Sequence, residues 1–324
     1  MTTRPRRRYI PSRNIARLLL VTFVVVVGPY TVSRLMSPGR RVSVHHNSSG
    51  ASHVPERKDT FSIATYNIAH GRGLSESNWN GESKDQRSKR LTEIATTLRT
   101  INADWVVLNE VDFDASWSHG VNQAESLAIA ADYPYWVEQR NIDFRILFWT
   151  WRFGNAVLSK YPIKDAKLVE LPDFAAWETW LGGKKRGVVC EIATGDSILT
   201  VAGVHLSSRS EALRVASAQV LCDIAGSSET AFFIAGDLNS TPTTFPVSDV
   251  DEKGGNAIEL FDKSGLFQRH PTEIPTKSSM TFESNDPTRV IDWILIPKLT
   301  QFADYQVINT EQSDHRPVVA RVHE

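Results

Sequence analysis

Cysteine is scarce in this chain. The 324 residues hold two, Cys190 and Cys222, with no Cys-x-x-Cys pair and no histidine pair beside either. That argues against a thiolate-ligated zinc site. Both thiols sit in apolar runs and are expected to be buried and free. Whether they pair cannot be read from their spacing. Lysine, aspartate and glutamate are missing from residues 1–50, which carry nine arginines. Setting those nine aside leaves 27 of the 36 basic residues against all 37 acidic ones in 51–324, a balance of −10. A net-acidic body is poorly suited to tight, non-specific binding of long nucleic acid, which relies on Lys and Arg to displace counterions. A local basic groove remains compatible with it. No internal repeat is present, and a hydrophobic content of 41% is enough for a sizeable core.

The N-terminus divides by composition. Residues 1–17 are basic, with Arg4, Arg6, Arg7, Arg8, Arg13 and Arg17. Residues 18–36 open on an uncharged, mostly apolar run, Leu18 to Ser33. That run is slightly short of the roughly 20 residues a spanning helix needs, and no small-x-small cleavage site follows it. We read it as an uncleaved single-pass signal-anchor in the cell membrane, with a cleaved signal peptide as the second choice. The heavier arginine load before the span places the N-terminus in the cytoplasm and the remainder on the extracytoplasmic side. Residues 37–59, rich in Ser, His, Arg and Gly, read as a flexible linker in which His45 and His46 are solvated.

Residues 60–324 read as one layered domain. Short apolar runs predict strands over Phe61–Tyr66, Trp105–Leu108, Ile146–Trp151, Ala156–Leu158, Val188–Ile192, Ile198–Val204, Phe232–Ala235, Val290–Ile296 and Pro317–Val322. Helices are predicted over 83–100, where Leu91, Ile94, Leu98 and Ile101 share a face, over 122–131, and over 210–225 with Ser210 as its cap. Many strands with interspersed helices favour an α/β or α+β body.

Polar residues collect at the strand ends. The central example is Ala231-Phe-Phe-Ile-Ala-Gly-Asp-Leu-Asn-Ser-Thr-Pro242. Asp237 and Asn239 leave a core strand at i and i+2, on the same side of an extended chain. A carboxylate there can bind a hard cation or orient a water, and an amide can serve a phosphate or a neighbouring carboxylate. Capping of a turn is the plainer alternative. The same choice applies to Glu110 as a helix cap, His205 as a core histidine, Asp314-His315 as a turn and Asp292 as an arginine partner.

Taken in order, Asn67, Asn109-Glu110, Gly154-Asn155-Ala-Val-Leu-Ser-Lys-Tyr-Pro162, His205-Leu206, Gly236-Asp-Leu-Asn239, Ile291-Asp-Trp-Ile294 and Ser313-Asp-His315 resemble the endonuclease/exonuclease/phosphatase superfamily. That group includes pancreatic-type deoxyribonuclease, apurinic-site endonucleases, neutral sphingomyelinases, inositol polyphosphate 5-phosphatases and deadenylases. The resemblance spans residues 60–323. It implies a four-layer αββα sandwich of two packed mixed sheets, with the site at one edge. It also implies hydrolysis of a phosphoester by in-line attack of water, with a divalent cation, usually Mg2+, with Mn2+ as the alternative. By position, Glu110, Asn67 and Asp314 would hold the metal, and Asp237 would orient or deprotonate the water. Asn239 would hold a phosphate oxygen, His315 oriented by Asp292 would stabilise charge or shuttle a proton, and His205 would be the second histidine. Asn155 and Arg186 are candidates for substrate phosphate.

This chemistry stands without the resemblance. A cation neutralises an anionic ester and activates water, and the remaining work of positioning and proton transfer suits a His–Asp pair. A loop over 173–187 is aromatic, then glycine-rich, then basic. Lys184, Lys185 and Arg186 could meet phosphate, and Trp177 and Trp180 could meet an apolar group or pack inward. His70 receives no role. The expected substrate is a lipid head group or small phosphoester, with DNA or RNA as the alternative and a catalytically silent tethered binding module as a third reading. No protein partner is implied, and a monomer is expected.

Overall fold

The computed structural model describes residues 13–36, 41–47, 59–173 and 183–323. The N-terminal helix α1 (Arg13–Met36) precedes two sheets. The first contains β1 (Val42–His46), β2 (Thr60–Asn67), β3 (Trp105–Asp112), β4 (Tyr135–Ile146), β5 (Trp149–Ser159), β12 (Gln301–Val307) and β13 (Val318–His323), in the order β1-β4-β5-β3-β2-β13-β12. The second contains β6 (Ile163–Glu170), β7 (Arg186–Thr194), β8 (Ser197–His205), β9 (Ala231–Asp237), β10 (Phe267–Arg269) and β11 (Asp292–Pro297), in the order β10-β11-β9-β8-β7-β6. Both sheets are mixed, because β2 pairs with β3 and β8 with β9 in parallel.

The layering follows from which strands are apolar on both faces. In β3, Trp105 and Val107 face the second sheet, where they join Phe233, Ala235, Val201 and Ile294 in the core between the sheets. Val106 and Leu108 point the other way, onto α2 (Lys84–Ile101) and α3 (Gln123–Ala130) through Ile94, Leu98 and Leu127. In β9, Phe232 and Ile234 likewise turn outward, onto Leu221 of α4 (Glu211–Gly226) and Phe261 of α5 (Ala257–Ser264). The result is the expected αββα sandwich. Each buried Leu- or Phe-sized side chain contributes about 1.5–3 kcal/mol to holding it together. The predicted helices appear with their caps. Ser83 and Gln86 form a reciprocal capping box at α2, and Asn122 and Ser210 cap α3 and α4.

Three expectations need correction. Val42–His46, read as linker, is an edge strand paired antiparallel to β4, and His45 stacks on Trp136 at 5.3 Å rather than standing in solvent. The predicted strand Ile146–Trp151 spans a hairpin. Ile146 pairs with Trp149, and Leu147-Phe148 forms the turn. Strands β4, β6, β10 and β12 and helix α5 were not anticipated. Cys190 and Cys222 are buried and free.

Candidate active site

Parallel pairing brings the C-terminal ends of β2 and β3, and of β8 and β9, to one edge of the sandwich. Asn67 closes β2, His205 closes β8 and Asp237 closes β9. Antiparallel neighbours bring their N-terminal ends to the same edge. Asp292, opening β11, is in register with Asp237, and His315 stands just before β13. Gly236 makes the approach possible. Its φ is +146°, and a Cβ there would lie 1.8 Å from the Val204 carbonyl oxygen and 3.2 Å from Asn109 Oδ1. No other residue type fits between the paired strands at that point.

Glu110 reaches this edge by a break in β3. The pairing of β3 with β5 shifts between Leu108 and Val111, and Glu110 has φ +53°. A bulge of this kind re-aims a side chain out of the sheet. The carboxylate is then fixed on one oxygen. Arg72 Nη1 donates to Glu110 Oε2 at 3.0 Å and His70 Nε2 lies 3.3 Å from the same atom. Arg72 Nη2 donates to Asp314 Oδ2 at 3.2 Å, and His70 Nδ1 contacts Asp112 Oδ1 at 2.7 Å. Burial alone would raise the Glu110 pKa, but the charges of His70 and Arg72 outweigh it and hold the group well below the usual carboxylate range.

Asp237 lies at the centre. Asn67 Nδ2 donates to its Oδ2 at 3.1 Å, and His205 Nε2 and His315 Nε2 lie 3.5 and 3.8 Å from that oxygen. Its backbone N–H donates to Asn109 Oδ1 at 2.8 Å. Burial pushes the Asp237 pKa up to about 7, against the pull of His315 and with the help of Asp292. For His315, burial opposes the charge, but Asp292, at 2.9 Å from Nδ1, and Asp237 push its pKa up to about 10. Burial and then Lys185 hold His205 well below the ordinary histidine value, so it is neutral at neutral pH. Asn239, in a left-handed turn, donates its backbone N–H to Asp237 Oδ1 at 2.9 Å and its Nδ2 to the Leu206 carbonyl at 3.3 Å.

The buried Asp237 and Asp292, the histidines His70, His205 and His315, and the partly exposed Glu110 and Asp314 thus converge from both sheets. The Endonuclease/Exonuclease/phosphatase family profile matches residues 64–315. The chain belongs to this family. Its members are phosphoester hydrolases, usually metal-dependent. Three solved structures illustrate the shared fold. An endonuclease/exonuclease/phosphatase from Beutenbergia cavernae is 22% identical, with a TM-score of 0.57 over 83% of this chain and 72% of that one. A mannosyl-6-phosphatase from Bacteroides thetaiotaomicron is 14% identical, with a TM-score of 0.56 over 81% and 99%. A truncated TDP2 from Caenorhabditis elegans is 15% identical, with a TM-score of 0.54 over 82% and 98%. No curated protein sequence matches the chain.

The donors present fit the cation typical of the family. Arg72 and His70 occupy Glu110 Oε2, whereas among the described residues Oε1 has only the long 3.4 Å approach of Asn67 Nδ2 and so remains open to a hard cation. The side chains of Glu110 and Asp314 are 22% and 25% exposed, which leaves room for the waters that magnesium retains. A tighter grouping of possible ligand atoms, all within 4.8 Å, lies at Asp237, Asp292 and His315. We favour Glu110 over that grouping. The three residues are buried, and Asp292 Oδ2 and His315 Nδ1 are already engaged with each other. Among the described residues, Asp292 Oδ1 is buried without a hydrogen-bond partner.

Of the sequence candidates, Asn67, Glu110, His205, Asp237, Asn239, Asp292, Asp314 and His315 come together here. Asn155 and Arg186, candidates for substrate phosphate, are engaged inside the fold instead. Asn155 is fully buried, accepting from Asn109 Nδ2 at 2.8 Å and donating to Gln139 Oε1 and the Arg186 carbonyl. The Arg186 guanidinium is spent on Glu170 and the Asn141 carbonyl. Trp177 and Trp180 lie outside the described residues. Sequence reading missed Arg72, Asp112 and the structural role of Asn109. The only signals were the alternation of Glu110 and Asp112 and the charged Gly71-Arg72-Gly73 step following Asn67.

Proposed function

We propose that this protein is a membrane-anchored, divalent-metal-dependent phosphoester hydrolase with an extracytoplasmic catalytic domain, acting on a lipid head group or small phosphoester. The observation that carries this reading is the convergence on Asp237. Amide and imidazole groups from residues up to 170 positions away stand within 3.8 Å of one of its carboxylate oxygens. Asp237, with its pKa raised to about 7, is poised to take the proton of an attacking water. That water adds to phosphorus in line as the ester P–O bond breaks. His315, kept protonated by Asp292, steadies charge on the phosphoryl group or passes a proton to the leaving oxygen. Asn239 and His205 hold a phosphoryl oxygen. Glu110 and Asp314 are assigned to the cation, Mg2+ with Mn2+ as the alternative, and Asn67 stands beside them with its Nδ2 on the Glu110 and Asp237 carboxylates and its Oδ1 on the Ala69 N–H. When bound, the ion neutralises the ester's charge and polarises the scissile bond.

The anchor rests on α1, which is long and apolar enough over Arg13–Ser33 to cross a bilayer and whose most apolar stretch is unburied. The fold shared with a mannosyl-6-phosphatase supports a small phosphoester. The acidic body weighs against long nucleic acid. The test is a phosphoester screen on the detergent-solubilised chain with magnesium, manganese and chelator arms, repeated with Glu110→Gln and His315→Ala. Both variants should lose at least 100-fold in kcat, in line with loss of metal or acid–base catalysis. Full activity in both would refute the site assignment. Plasmid cleavage with no phospholipid turnover would replace the substrate preference. A wild type inert on every ester would favour the binding-module reading.

A further inference from the structure

We propose that the tip of the β4–β5 hairpin, Leu147 and Phe148, is a second bilayer contact beside α1, and that the aromatic ledge behind it guides a membrane-borne phosphoester to Glu110. The inference deepens the phosphoesterase reading and rests on it and on α1 as the anchor.

The tip presents apolar surface where folding does not ask for it. Leu147 and Phe148 are 67% and 91% exposed. They form a two-residue turn, with Leu147 at φ +51°, a position where hairpins favour glycine or asparagine. A second, independent observation places the membrane next to this tip. Ser33, near the end of α1, is 3% exposed and accepts the Arg145 backbone N–H at 3.1 Å. Residues Leu18 to Val21 and Phe23 to Val25 of the same helix are each at least 58% exposed. At 1.5 Å per residue, that apolar length begins about 12 Å from Ser33 and runs on for roughly another 10 Å. Phe148 is only three residues from Arg145, within about 10 Å along the strand. A helix entering a bilayer here brings the hairpin tip to the bilayer surface.

The ledge leads inward from the tip. Trp149, next to Phe148, stacks on Trp79 with centroids 5.1 Å apart and planes at 19°. Trp79 is 55% exposed and meets Trp117 edge-on at 5.9 Å. Trp117 meets His70 edge-on at 6.1 Å, and His70 Nε2 is 3.3 Å from Glu110 Oε2. Tryptophan suits the membrane–water boundary, where one end of the ring is apolar and the other wet. Trp117 and His70 are themselves buried, at 5% and 7% exposure, so they back the ledge and its open surface is Trp79 with Trp149. A lipid whose apolar part stays at the bilayer would cross that surface to bring its phosphoester to the partly exposed Glu110.

The test uses the full chain in phosphatidylcholine nanodiscs. An environment-sensitive fluorophore is attached at Phe148→Cys and, separately, at Leu299→Cys, a 95% exposed apolar position in another turn. Cys190 and Cys222 are buried, so labelling is selective. Nitroxide-bearing lipids should quench the label at 148 at least threefold more than the label at 299. Equal quenching, or failure of the chain to enter nanodiscs, overturns the proposal. In the second arm, the Leu147→Ser/Phe148→Ser variant is assayed on vesicle phospholipid and on a soluble nitrophenyl phosphodiester. The ratio of the two rates should fall tenfold or more, and an unchanged ratio overturns the ledge. If the wild type hydrolyses neither these two esters nor any in the phosphoester screen, the phosphoesterase reading fails and the ledge with it, while the quenching arm still decides the bilayer contact.

Discussion

Asn109→Ala is the sharpest test of how the two sheets are held in register beneath the site. Asn109 is fully buried inside β3, at the break in its pairing with β5. Its Nδ2 donates to the Val204 carbonyl at 2.9 Å and to Asn155 Oδ1 at 2.8 Å, and its Oδ1 accepts from the Asp237 backbone N–H at 2.8 Å. Truncation leaves two acceptors and one donor without partners in a dry interior. At about 1 kcal/mol or more for each orphaned group, the loss is roughly 3 kcal/mol. For a domain of this size that is a fall of about 6–12 °C in Tm. The consequence for rate is larger than for stability, because the lost bond is the one fixing the backbone of Asp237. A displacement approaching 1 Å at a reacting group costs about 100-fold. The assay pairs thermal unfolding of the solubilised chain with kcat on the best ester from the screen. A variant with wild-type Tm and kcat within twofold would refute the claim that this amide joins the sheets.

The pH profile of kcat should be bell-shaped. Asp237 must be ionised, so activity rises as pH passes through about 7, and His315 must be protonated, so activity falls through about 10. A bound cation moves the acid limb to lower pH, and an acid limb that ignores metal concentration would place the base elsewhere. Arg72→Gln removes a positive charge 3.0 Å from Glu110. At an effective dielectric near 20, a unit charge held about 5 Å from a divalent ion would oppose it by about 7 kcal/mol before solvent screening, which removes most of that. Manganese should therefore bind about tenfold tighter by paramagnetic titration while kcat falls; weaker binding would mean that Arg72 chiefly preorganises the carboxylates. Gly236→Ala should destabilise by at least about 1–3 kcal/mol from backbone strain, with the contact on the Val204 carbonyl adding to it. Unchanged denaturant resistance would contradict the close pairing of β8 and β9.

What the sequence made legible was what short-range periodicity records. Trp105 to Leu108 and Phe232 to Ala235 are apolar at every position because both strands are covered on both faces. Strand β4 escaped notice because it buries Glu138, Gln139, Arg140, Asn141 and Asp143, which are satisfied by one another and by neighbours such as Asn122, Arg152 and Asn155. A strand stabilised that way shows no apolar alternation. Strand β1 escaped because it is five residues long, lies at a sheet edge and pairs with β4 alone. Within the site, residues at strand ends were visible. Arg72 and His70 were not, because their reach depends on left-handed turns at Ala69 and His70 and on the bulge at Glu110. Asn155 misled for the opposite reason. It stands beside the site in sequence order, but the Asn109 amide claims its oxygen.

The geometry also explains why amides recur in this site. Glu110 belongs to one sheet and Asp237 to the other, and the core between the sheets is apolar and therefore non-directional. Such a core fixes the spacing of the layers, not the position of one carboxylate relative to another. Direction comes from two side chains of the first sheet that converge on the same residue of the second. Asn67 Nδ2 binds the Asp237 carboxylate, and Asn109 Oδ1 binds its backbone N–H. An acid in either place would add a third negative charge to a buried pair of aspartates, and a lysine or arginine could not accept the N–H bond. The amide donates and accepts without charge, so it can align the sheets without adding an ion to the site, and the Asn67 hydrogen bond only tempers the upward push that burial gives Asp237. Arg72 and His70 act on Glu110 from its own sheet in a complementary way. They fix one carboxylate oxygen from behind and leave the other facing the gap that Asp237 faces from the opposite side.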